Sequence, residues 1–144
     1  TNNNYTEFDK LDKHRVCGIK LFMGSSTGNM LVDKMNSLLN IFNGTDMLIA
    51  AHCEDQETIK NNIEKYKQKY KGADDIPVSA HPSIRSVPAC YASSELAVRL
   101  AKIAGARLHI LHVSTAKELQ LFSDEPLANK NITAEACVAH LLLR

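Results

Sequence analysis

The sequence predicts an α/β fold built on a parallel sheet. Short apolar runs alternate with amphipathic segments of helical spacing, and each intervening stretch is long enough to carry a crossover helix. The order reads strand, helix, strand, helix, helix, strand, helix, strand.

The first strand is expected over residues 16–23, an apolar run that ends in the punctuated stretch Gly24-Ser25-Ser26-Thr27-Gly28-Asn29. Residues 30–42 then place Leu31, Met35, Leu38, Leu39 and Phe42 at helical spacing, and Gly44 supplies a stop. A second strand over 47–51 ends at His52-Cys53-Glu54. Residues 54–71 form a charged helix with Ile59, Ile63, Tyr66 and Tyr70 on one side and five lysines on the rest. Its lysines read as a solvated face rather than a nucleic-acid surface. Residues 72–87 form a long connection around His81-Pro82-Ser83-Ile84-Arg85-Ser86, a length typical of functional loops. A helix follows over 88–104, with Pro88 suited to its first turn and Gly105 to its end. A third strand is expected over 107–113, a short helix over 115–122 and a fourth strand from 132 to 136.

The 144 residues are 44% hydrophobic and 23% charged, with a net charge of +1. That balance is too apolar for disorder and too neutral for an electrostatic nucleic-acid binder. No run approaches the roughly 18 apolar residues of a membrane helix. Residues 1–13 are polar and lack the apolar core of a signal peptide. The length fits one domain over 1–144, well short of the roughly 250 residues of a complete (β/α)8 barrel. Cys17, Cys53, Cys90 and Cys137 are far apart, with no C-x-x-C pair. They are expected to be buried, reduced thiols of a cytoplasmic protein.

Three polar residues share one kind of address. Lys20 lies within the first strand, His52 follows the second and His112 lies near the end of the third. The carboxyl ends of parallel strands are where catalytic groups gather. A buried, unpaired ammonium at Lys20 would be expensive, so it is paired, depressed in pKa or chemically modified, unless its long stem reaches solvent. His52 fits either a hydrogen-bonded core histidine or a metal ligand. His109 and His112 are three apart, so on a regular strand they point to opposite faces, and His112 is the one expected at the site. The residues alone therefore give a partial metal or acid–base site.

Five motifs in order, GIKLFMGSSTGNMLVD, AAHCED, HPSIRS, LHILHVSTAKEL and ITAEACVAHLLL, resemble the central part of the dihydroorotases of the amidohydrolase superfamily. The resemblance runs from about Val16 to the end. It implies about four βα units of an incomplete (β/α)8 TIM-type barrel. It also implies a cytoplasmic, zinc-dependent hydrolase of pyrimidine biosynthesis that interconverts dihydroorotate and carbamoyl-aspartate.

Position by position, Lys20 matches the catalytic lysine whose carboxylated side chain bridges two zinc ions, and His52 and His112 match histidines that each hold one metal. Carboxylation would turn the lysine into an anion neutralised by cations. Ser25, Ser26 and Thr27 fall where related enzymes have a loop closing on substrate, or form a plain turn. Arg85 is an anion contact or a tie within its loop. His140 falls in a stretch that often carries two adjacent histidines, the first of which is Ala139 here; it is assigned to substrate.

The family's H-x-H zinc ligands and its general acid–base aspartate are not matched. A lysine and two histidines cannot complete two zinc sites. The remaining ligands are expected from the rest of the same barrel or from another subunit of a homo-oligomer. The resemblance leaves two other readings open, a hydantoinase or dihydropyrimidinase with the same lysine and histidines, and a non-catalytic dihydroorotase-like scaffold.

Overall fold

The computed structural model describes residues 1–24, 26, 28–72 and 75–142. Four strands, β1 (Ile19–Met23), β2 (Ile49–Cys53), β3 (Leu108–Ile110) and β4 (Ile132–Ala134), form one sheet in the order β1-β2-β3-β4. Every pair is parallel, as the alternation of elements predicts. The register sets Lys20 beside Ala50, Phe22 beside His52, Ala50 beside His109 and His109 beside Thr133.

Strand periodicity divides the sheet into two unlike faces. Leu21, Met23, Ile49, Ala51, Cys53, Leu108 and Ile110 are buried on one. They pack under helices α1 (Met35–Asn43) and α4 (Val87–Ala104), which contribute Leu38, Ile41, Phe42, Ala97, Val98, Leu100 and Ala101. The opposite face carries Lys20, Phe22, Ala50, His52, His109 and Thr133, all half-buried or exposed. One face is the core; the other carries the chemistry.

Helix α2 (Gln56–Lys69) is capped by Asp55, whose carboxylate accepts from the Thr58 amide at 2.8 Å. It buries Ile59 and leaves Lys60, Lys65, Lys67, Lys69 and Lys71 exposed, as a solvated face requires. The loop after it holds more structure than expected, a 3₁₀ turn at Val78–Ala80 and a single turn, α3 (His81–Ile84). Asn62 of α2 donates to the Ile84 carbonyl at 3.0 Å and to the Ser86 hydroxyl at 3.2 Å, fastening that loop down. Gly105 ends α4 at φ 65, a left-handed conformation that favours glycine. A short α5 (Val138–Leu142) follows β4.

Several sequence expectations shift, and the third strand, expected over 107–113, closes at Ile110, so that His112 follows it. The first helix begins at Met35, five residues late, because Leu31 and Val32 bridge alongside Phe22 instead, the Val32 amide donating to the Phe22 carbonyl at 2.8 Å. Strand β2 slides two residues, so His52 lies inside it rather than after it. All four cysteines are free, but only Cys53 and Cys90 are buried. Cys17 and Cys137 sit outside the paired strands and are exposed despite their apolar neighbours. Among the described residues, no helix is long and apolar enough to cross a membrane.

Candidate metal centre and active-site cleft

Lys20, His52 and His112 come to one face of the sheet. His52 and Phe22 are lateral neighbours, and Lys20 stands two residues back along β1. Lys20 is not buried. Its side chain is exposed on the open face with Nζ 4.7 Å from the centre of the Phe22 ring, a cation–π contact. Its long stem reaches solvent, one of the readings left open for it. Partial desolvation nonetheless lowers its pKa, against the opposing pull of Cys53 and Glu135.

His112 reaches the site by breaking the strand pattern. The Glu135 amide donates to the Ile110 carbonyl at 3.1 Å, and the Val113 amide donates to the Glu135 carbonyl at 2.8 Å. Two residues, Leu111 and His112, therefore stand opposite one, which is a β-bulge. His112 takes φ 41, an uncommon conformation for a residue with a side chain. The extra residue shifts the alternation by one, so His109 and His112 share a face instead of pointing apart.

Glu135 holds both histidines. One carboxylate oxygen accepts from the His112 backbone amide at 3.3 Å and the other lies 3.2 Å from His109 Nε2. His109 Nδ1 lies 2.8 Å from the Thr133 hydroxyl, so its two nitrogens are committed to β4 and its environs.

The imidazoles of His52 and His112 face each other, Nδ1 to Nε2, at 2.9 Å. Burial, then the neighbouring His52 and Lys20, lower the pKa of His112. Behind His52, the Glu54 carboxylate is almost fully buried and forms a bidentate ion pair with Arg85, Nε donating to Oε1 at 2.7 Å and Nη2 to Oε2. Burial alone would raise the Glu54 carboxyl, but the His52 ring and the Arg85 guanidinium override it and hold it at about 2.

A cleft of about 440 Å³ opens over these groups, walled by His52, Glu54, Arg85, His112, Glu118 and His140 among others. His140 Nδ1 lies 3.2 Å from the Val113 carbonyl. Arg85 reaches the cleft while paired to Glu54. Ser26 is half-buried beyond the end of β1; Ser25 and Thr27 lie outside the described residues.

Three acidic residues of the site escape a reading of the sequence alone. Glu54 and Glu135 lie inside quoted motifs but acquire partners only through tertiary contacts. Glu118 had a local signal, the Thr115-x-x-Glu118 spacing of a helix cap. It is buried, accepting from Ser94 at 2.6 Å and Thr115 at 2.7 Å, and it anchors the segment that leaves His112.

The donor chemistry suits a metal in part. Two imidazole nitrogens converge, His52 Nδ1 and His112 Nε2. Two nitrogens on one tetrahedral zinc, at about 2.0–2.1 Å each, stand roughly 3.3 Å apart, so the rings need only part by a few tenths of an ångström. Among the described residues, however, no three His, Cys, Asp or Glu side chains converge closely enough to hold an ion. Any complete site therefore requires donors beyond these.

The parallel α/β sheet matches part of the α/β barrel seen in hydantoinases. The fold is similar to that of a D-hydantoinase, with a TM-score of 0.80 and 23% identity over 100% of this chain and 31% of that one. It is also similar to the L-hydantoinase (dihydropyrimidinase) from Arthrobacter aurescens, at a TM-score of 0.78 and 24% identity over 93% of this chain and 30% of that one.

In sequence, the chain resembles dihydroorotases. That of Listeria welshimeri is 27% identical over 128 residues, covering 88% of this chain and 28% of the relative. That of Bacillus caldolyticus is 28% identical over 123 residues, covering 84% and 26%. The chain thus spans little more than a quarter of the length of these relatives. No family model matches it.

Proposed function

We propose that this chain is part of a metal-dependent cyclic amidohydrolase of dihydroorotase type, acting reversibly on the ring amide of dihydroorotate to give carbamoyl-aspartate. The observation that carries the reading is the nitrogen-to-nitrogen approach of His52 and His112 at 2.9 Å, on the sheet face that also bears Lys20. Lys20, once carboxylated, together with His52 and His112, would hold the two zinc ions. When bound, such a pair lowers the pKa of a water and polarises the amide carbonyl.

The chain's own residues do the rest of the local work. The bulge opposite Glu135 aims His112 inward, and the end of the Lys20 side chain lies over the Phe22 ring. Arg85, His140, Ser26 and Thr27 are the proposed substrate contacts, Arg85 acting while paired to Glu54. The remaining metal ligands come from the rest of the barrel or from a partner copy, in the cytoplasm.

The test is zinc content after dialysis without chelator, beside His52→Ala and His112→Ala. The protein that carries this chain should retain zinc that both variants lose. Equal zinc in all three would sink the metal assignment.

The fold likeness to hydantoinases favours a second reading, a hydantoinase or dihydropyrimidinase. Hydrolysis of dihydroorotate beside dihydrouracil, assayed on the protein that carries this chain, separates the two. Activity on dihydrouracil alone would select the second.

A further inference from the structure

The proposed function uses one nitrogen of His52 and leaves the other unexplained. Nε2 is buried and makes no well-formed hydrogen bond, yet Glu54 Oε2 lies 3.1 Å from it. The two side chains are only 12% and 9% exposed, so water does not serve either well. Glu54 is in turn gripped by the Arg85 fork, and Arg85 belongs to the loop that Asn62 fastens to α2. A chain of contacts therefore runs from a rigid helix to the back of one imidazole.

Only one neutral form of His52 suits this arrangement. With its proton on Nδ1, the bare lone pair on Nε2 would face a buried carboxylate oxygen, acceptor against acceptor, and that mismatch is costly in a poorly solvated site. With the proton on Nε2, the ring donates toward Glu54 and its Nδ1 lone pair is bare. The short approach to His112 is then satisfied by the proton of His112 Nε2, which donates to His52 Nδ1. All protons are accounted for.

We propose that Glu54, held by Arg85, is a positioning residue that fixes the His52 proton on Nε2 and so keeps the Nδ1 lone pair aimed into the site. Its value for metal binding rests on the reading above; the tautomer itself does not. Carboxylates that orient metal-binding histidines in this way are worth about 10–100-fold in metal affinity.

Nitrogen-15 NMR of the histidine-labelled chain tests it, at a pH of about 8, above the ordinary imidazole range. Signals are assigned by loss in His52→Asn. Wild-type His52 should show the Nε2–H tautomer. In Glu54→Gln, whose amide can donate or accept, that preference should collapse, the His112 tautomer changing with it because the two rings share one proton at 2.9 Å, and zinc should bind about 10–100-fold more weakly to the protein that carries this chain. An Nδ1–H tautomer in the wild-type chain, which needs no variant to fold, overturns the proposal. So does an undiminished Nε2–H preference in Glu54→Gln. A tautomer that shifts as expected with zinc affinity unchanged supports the positioning role and overturns the metal reading instead.

Discussion

Glu135 and His112 are joined across β4 and β3 by a bulge, the Glu135 carboxylate accepting from the His112 amide at 3.3 Å while its backbone bonds to both flanks. This relationship turns toward the open face a histidine that unbroken alternation would direct at the core face with Leu108 and Ile110. It also imposes a backbone cost on His112, whose φ of 41 is one that glycine adopts freely. Strain of this kind persists where surrounding structure over-determines it, commonly at functional sites.

The first prediction follows from that strain. In ordinary strands and helices alanine is favoured over glycine, but here the order should reverse. His112→Gly should be about 1 kcal/mol more stable than His112→Ala, because the left-handed penalty for a Cβ is removed. Urea denaturation of the two variants decides it, and a more stable alanine variant would show that the bulge relaxes without the imidazole.

Acid should weaken the fold through Glu54. Burial opposes its ionisation, but His52 and Arg85 hold its folded pKa near 2, below the usual 4.5. A depressed carboxyl stabilises the native state above its unfolded pKa, and that stability is lost as pH falls toward the folded value. Unfolding free energy should drop by about 2 kcal/mol between pH about 5 and about 3 from this residue alone. Glu54→Gln should flatten that part of the profile; an equally steep fall in the variant would assign the acid sensitivity elsewhere.

Gly24 should resist any side chain. A Cβ there would lie 2.8 Å from the Glu54 amide nitrogen and 2.9 Å from the Glu54 Cβ, against backbone that cannot step aside. Gly24→Ala should cost about 1–3 kcal/mol, as overpacking does. It should also disturb the His52 imidazole signals, because Glu54 moves with its backbone. Thermal melting and a histidine NMR spectrum read the two effects, and a variant as stable as wild type with unmoved His52 signals would contradict the close approach.

Much of the fold was legible locally. Val87–Ala104 with Pro88 at its start and Gly105 at its end, and the solvated lysines of α2, follow from capping chemistry and periodicity. Boundaries were less so. Residues 30–34 have helical spacing, yet the Phe22 carbonyl captures Val32, because a strand edge offers hydrogen bonds that an isolated first helical turn does not. Cys17 and Cys137 have apolar neighbours, but burial depends on what covers a segment rather than on its own composition.

The sequence by itself determined the parallel α/β order, the lysine and two histidines of the proposed site, and the likeness to dihydroorotases. Those are properties of residue type and spacing along one chain. Tertiary structure alone decided that His109 and His112 share a face, that Lys20 is exposed, and that Glu54 and Arg85 stand behind His52. Each of these depends on a partner more than twenty residues away or on a neighbouring strand, so no local pattern encodes it. A one-residue bulge reverses every inference drawn from alternation, and only the pairing across β3 and β4 reveals that the bulge is there.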